Sequence, residues 1–158
     1  MKRPRQTDII DKDGCLYAVG GFNGRHSVNY FDAYDIRADR WNKLKNIPFR
    51  ISAHHGTLID ATLWLFGDFY NPGKVSAYDF AAGAWNQMYN IQAEYDGKVE
   101  AEPRYAGTDP MFQPARHAAV VRVKDYVYVI GGADSKDFPV THSIQYFHIT
   151  RLPSLLVK

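Results

Sequence analysis

The run Cys15-Leu16-Tyr17-Ala18-Val19-Gly20-Gly21 decides the fold, because it returns as Leu63-Trp64-Leu65-Phe66-Gly67-Asp68 and again as Val127-Tyr128-Val129-Ile130-Gly131-Gly132. Each copy is a short apolar run that stops on a glycine pair or its near equivalent. A run of that length bounded by turn signals predicts a strand buried on both faces. Glycine pairs permit positive φ and close approach of neighbouring backbones, as a strand near a crowded axis requires. In the second copy Asp68 stands for the second glycine. Aspartate is among the few residues that tolerate the left-handed region, so the same positive φ is expected there.

Working outward, Tyr34 and Trp41 follow the first run and recur 44 residues later as Tyr78 and Trp85. Turn-prone residues separate each pair, which predicts a hairpin with one aromatic on each strand. Upstream, Pro4-Arg5, Pro48-Phe49-Arg50 and Pro114-Ala115-Arg116 precede the three runs. A short polar turn then intervenes in each copy: Asp13-Gly14, Asp60-Ala61 and Lys124-Asp125. The repeating unit is four strands joined by turns, and its period of roughly 45 to 50 residues is that of one propeller blade.

These residues resemble the kelch repeat: the double glycines Gly20-Gly21 and Gly131-Gly132, the spaced Tyr34/Trp41 and Tyr78/Trp85, and the preceding Pro-Arg segments. The resemblance implies an all-β chain, a partial kelch-type β-propeller of about three four-stranded antiparallel blades. The blades are expected at residues 4–47, 48–90 and 114–150, with an insertion at 86–115 and an irregular tail at 151–158. Pro153 stands where the third tryptophan should fall, so the third blade is expected to lack its outermost strand. Gly20, Gly21, Tyr34, Trp41, Gly67, Asp68, Tyr78, Trp85, Gly131, Gly132 and Tyr146 are expected to be structural, the aromatic residues through packing between blades. A ring of this kind closes with four to eight blades. Three are too few, so the chain is either a fragment of a longer propeller or completes its ring by assembly.

Function, as the resemblance implies it, is protein–protein interaction through inter-strand and inter-blade loops. The residues expected to bind a partner are Asn23, Arg25 and His26; Tyr70, Asn71 and Lys74; and Asp134, Lys136 and Asp137. The insertion adds Tyr95, Arg104 and Tyr105. Family members serve as the substrate-recognition part of BTB-containing ubiquitin-ligase adaptors or as actin-associated scaffolds. The alternative is a carbohydrate-active kelch-like propeller such as a sialic-acid mutarotase.

Composition bounds the rest. The chain has 158 residues, 46% hydrophobic and 23% charged, which is globular. Its 19 basic and 17 acidic residues leave a net charge of +2, too little to hold a polyanion, and nucleic acid is not expected as a partner. No apolar run approaches the ~20 residues of a membrane span. Cys15 is the one cysteine, so no intrachain disulfide forms; with no Asn-x-Ser/Thr acceptor, a reducing, cytoplasmic location is expected.

No catalytic or metal motif stands out. Cys15 opens an apolar strand and reads as a small buried hydrophobe. His54 and His55 are adjacent, so on a strand their side chains would diverge and not share a metal; His54 and His117 read as structural histidines hydrogen-bonded to backbone. Gly20 to Gly24 lacks the lysine and the helix of a phosphate loop and is turn chemistry. No cofactor, metal or enzymatic activity is expected.

Overall fold

The computed structural model describes residues 6–71, 73–86, 89–90, 117–133 and 144–149, and every named element among them is a strand. The first sheet runs β1 (Gln6–Lys12), β2 (Cys15–Phe22), β3 (Phe31–Asp35), β4 (Arg40–Lys43) in that order. The second runs β5 (His55–Ile59), β6 (Thr62–Phe66), β7 (Lys74–Asp79), β8 (Ala84–Trp85), with β9 (Tyr89–Asn90) also paired to β7. The third holds β10 (Ala119–Val123), β11 (Tyr126–Ile130) and β12 (Ile144–His148). All pairings are antiparallel between strands consecutive in sequence, β9 apart, so each sheet is a meander. Among the described residues the chain is all-β, three antiparallel meander sheets stacked as propeller blades.

The turns repeat in conformation as well as in sequence. Asp13, Asp60 and Lys124, each seven residues before the first glycine of its copy, have φ of 51°, 54° and 53°. They join the first two strands of each sheet in two-residue turns whose left-handed backbone matches strand twist. Asp39 and Gly83 play the matching part before β4 and β8, with φ of 49° and 61°.

β5 lies between β1 and β10, so the three first strands are neighbours on the inner side and the sheets stack face to face. The seam between the first two sheets buries Val19, Phe31, Leu63, Leu65 and Tyr78. Phe31 is fully buried, its ring edge-on to Tyr78 at 4.8 Å and to Trp85 at 5.3 Å. The second seam sets Trp64, Phe66, Val75 and Ala77 against Ala118, Val127 and Val129. Alternation assigns the residues: Leu63 and Leu65 turn toward the first sheet, Trp64 and Phe66 toward the third.

Three expectations need correction. β11 is buried on one face only: Val127 and Val129 are covered, while Tyr126 and Ile130 are each 40% exposed, because among the described residues no sheet lies beyond. Tyr34 and Trp41 stack on each other at 5.2 Å but do not fill a seam, and Trp41 is 51% exposed. In the second sheet the same pair lies on the first sheet; the first has no described sheet on that side. Finally, Phe147, not Tyr146, holds the register of Tyr34 and Tyr78, since Val127 pairs with Phe147 as Leu16 does with Tyr34 and Leu63 with Tyr78. Tyr146 faces the other way and meets Tyr126 and Tyr128 at 5.8 and 5.6 Å.

Asp68 also departs from expectation. Gly20, Gly21, Gly67, Gly131 and Gly132 have positive φ, but Asp68 does not. Its buried carboxylate instead accepts a hydrogen bond from the Ser52 backbone N–H at 3.2 Å. At Gly20 the reason for glycine is steric: a Cβ there would lie 2.5 Å from Ile51 Cγ2 and 2.7 Å from its carbonyl oxygen.

Residues 51–53 tie the sheets together. The Ile51 carbonyl accepts from Gly21 N–H of the first sheet, that of Ser52 from Phe69 N–H beyond the second, and that of Ala53 from His117 N–H before the third, at 2.9, 2.9 and 3.0 Å.

Candidate functional site at the mouth of the inner strands

The segments after the glycine pairs and those entering the inner strands come to the same end of the sheets, since β2 ends where β1 begins and Gln6 pairs with Phe22. There they enclose a cavity of about 600 Å³ whose lining includes Asp8, Phe22, Arg25, His54, Tyr70 and His117. That volume lies within the usual range for ligand sites.

The rim is built by a locked turn. Asn23 Oδ1 accepts from the backbone N–H groups of Arg25 and His26, both at 3.0 Å, and Asn23 Nδ2 lies 3.3 Å from His26 Nε2. Asn23 and His26 therefore spend their polar groups on the loop and hold Arg25 exposed at the cavity edge. Opposite, Tyr70 is 81% exposed and its ring is edge-on to Phe69 at 5.1 Å. Phe22 adds a second exposed aromatic.

Polar groups line the interior. Asp8 accepts from Gly56 N–H, and His55 Nδ1 lies 3.8 Å from its Oδ1, an ion pair once the imidazole is protonated. Burial raises the Asp8 pKa above the usual carboxylate value, opposed by the Gly56 N–H and by His55. Ser27 and Ser52 hydroxyls share a hydrogen bond of 2.7 Å. His54 is buried in the cavity wall beside the Val19 backbone. Burial pushes its pKa down to about 3, with His55 adding to the shift and the Val19 backbone opposing it.

Of the residues expected to bind a partner, Arg25 and Tyr70 line the cavity. Lys74 does not: its Nζ sits 3.6 Å over the Phe49 ring and desolvation lowers its pKa, so it packs between strands. Asn71 offers its carbonyl to Lys74 N–H in the turn before β7. Tyr95, Arg104, Tyr105, Asp134, Lys136 and Asp137 lie outside the described residues. Sequence reasoning missed Asp8, Ser52 and the convergence of His54, His55 and His117, which come from the entries to three different sheets. The signal was the shared offset of Ala53 and His117, each fourteen residues before its first glycine and each with positive φ, 57° and 56°. No group of three or more metal-ligating side chains occurs among the described residues, and no helix among them is long and apolar enough to cross a membrane.

Meander sheets stacked by their inner strands, with loops gathered around a cavity at one end, are the architecture of β-propeller blades. Comparison with known proteins finds the same kind of repeat. Residues 12–48 match the Kelch motif family. Relatives include Kelch repeat and BTB domain-containing protein 2 of Horsepox virus, 24% identical over 79% of this chain and 23% of its own length. Kelch-like protein 35 of Mus musculus is 25% identical over 82% of this chain and 20% of its own. This chain thus spans a quarter or less of the curated relatives it matches. Among solved structures YjhT superposes with a TM-score of 0.66 at 18% identity, over 93% of this chain and 50% of that one.

Proposed function

We propose that the chain is a protein-interaction module whose mouth, with Arg25 and Tyr70 at its rim, receives a segment of a partner protein. The observation that carries this reading is the combination at one end of exposed aromatic anchors, Phe22 and Tyr70, a rigidly presented arginine, and a cavity with polar walls. Aromatic residues and arginine dominate binding energy at protein interfaces, and a pre-organised loop loses little entropy on binding. A role as the recognition part of a ubiquitin-ligase adaptor or of an actin-associated scaffold is the finer form of the proposal, drawn from the kelch and BTB names of the relatives.

The test is affinity capture from lysate with quantitative mass spectrometry, comparing the parent chain with Arg25→Glu and Tyr70→Ala. Both positions are exposed, so folding should be unchanged while specific partners fall by tenfold or more, about 2 kcal/mol per anchor. Partners retained equally by both variants would overturn the assignment of the mouth. A second reading, a carbohydrate-active site, is favoured by the buried His54 imidazole in the cavity wall and the neighbouring Asp8–His55 pair. NMR of anomer exchange in sialic acid tests it directly.

A further inference from the structure

Taking the mouth as the protein-binding site proposed above, we infer that it draws a basic side chain of the partner segment inward, against the Asp8 carboxylate. The stem of that side chain lies along Phe22 and Tyr70, and Arg25 meets an acceptor on the same segment at the rim.

The charges around the cavity are layered. Asp8 is the one carboxylate among the described lining residues, and it sits inside, its side chain 19% exposed. Arg25, the one fixed cation of that lining, is exposed at the edge, where the Asn23 turn holds it. An anionic group therefore meets its complement at the rim and is repelled by Asp8 further in. A cation carried past the rim meets the opposite sign at the end of its path. Lys74, a further cation near the wall, lies over the Phe49 ring and is balanced by Asp68.

Asp8 is short of a charged partner. The Gly56 N–H donates to it but is neutral. His55 Nδ1 is 3.8 Å from Oδ1, beyond hydrogen-bond reach, and supplies a charge only when protonated. Burial is the largest influence on Asp8 and raises its pKa, as expected of an anion that has lost water without gaining a cation. An entering ammonium or guanidinium restores that interaction with a charge-assisted hydrogen bond.

The way in suits a long aliphatic stem. Phe22 and Tyr70 are 41% and 81% exposed at the rim, and aromatic rings attract both the methylenes and the charge of such a side chain. The cavity of about 600 Å³ has ample room for one.

The test is titration of the 158-residue chain at neutral pH with N-acetyl-lysine amide and with N-acetyl-norleucine amide, which keeps the stem and lacks the ammonium. Two-dimensional NMR of the backbone amides follows binding. The lysine probe should saturate, shift the amides of Asp8, His55 and Gly56, and bind about tenfold more tightly than the norleucine probe. Asp8→Asn keeps an oxygen for the Gly56 N–H and removes the charge. It should weaken the lysine probe about tenfold and leave the norleucine probe unchanged. Equal affinity of the two probes, no saturable shift at Asp8, His55 and Gly56, or a lysine affinity untouched by Asp8→Asn would each overturn the inference. The comparison of probes on the parent chain needs no variant, so it decides whether or not Asp8→Asn folds. None of these outcomes removes the mouth as a protein-binding site, which falls only if partner capture survives Arg25→Glu and Tyr70→Ala.

Discussion

Acid should weaken this protein through one buried imidazole. In the folded chain His54 titrates near 3 in place of 6.5, because burial opposes its charge. Unfolding exposes the ring, so between those values the unfolded chain holds the extra proton and stability rises with pH. The contribution is undiminished above the unfolded value, declines as pH falls through it, and levels off below the folded value. At pH 5 the loss is about 2 kcal/mol, and the limit below pH 3 is about 5 kcal/mol. Urea denaturation at pH 7.5 and 5.0, followed by tryptophan fluorescence, measures it. The variant His54→Phe keeps an aromatic ring in the wall but cannot titrate. The parent chain should lose about 2 kcal/mol more than this variant between the two pH values. Asp8, raised above its ordinary value, acts in the opposite direction, but it is present in both proteins and cancels in the difference. Equal losses in the two proteins would refute the reasoning, since burial would then not be suppressing the charge on His54.

Other substitutions report on the backbone and the seams. Gly20→Ala forces a Cβ against Ile51 at positive φ and should cost about 3 kcal/mol in denaturant titration, combining strain with overpacking. Phe31→Ala empties the centre of the first seam and should cost about 4 kcal/mol by the same measurement, with hydrogen exchange rising in β6 and β7 as well as β3. Asp68→Gly restores a glycine pair yet should destabilise by about 2 kcal/mol, because the Ser52 N–H loses its acceptor; a gain in stability would show that the pair matters more than the carboxylate.

The fold was legible because its signals are local. An apolar run ending in Gly20-Gly21, a turn seven residues before the first glycine and a tyrosine paired with a tryptophan each specify backbone geometry within a few residues, and their recurrence supplied the stacking. Errors arose where a side chain does the backbone's work or where a neighbour is missing. Asp68 holds the Ser52 N–H with its carboxylate and keeps a negative φ, and Trp41 has no described sheet on its side although its sequence matches Trp85. The mouth was legible only at Arg25 and Tyr70, on loops already suspected of binding. Asp8, His54 and His117 are distant in sequence, and only stacking brings them to one cavity. Lys74 misled because a lysine in a turn-rich stretch reads as solvated, whereas the Phe49 ring lies beneath its ammonium.

The three successive carbonyls at 51–53 impose an order on biosynthesis. Ile51 and Ser52 find their amide partners within the first two sheets, but Ala53 must wait for His117, 64 residues later in the chain. At ribosomal speeds of about 5 to 20 residues per second the interval is roughly 3 to 13 s. Throughout it the Ala53 carbonyl awaits its amide beside a half-built cavity, until the third sheet is made.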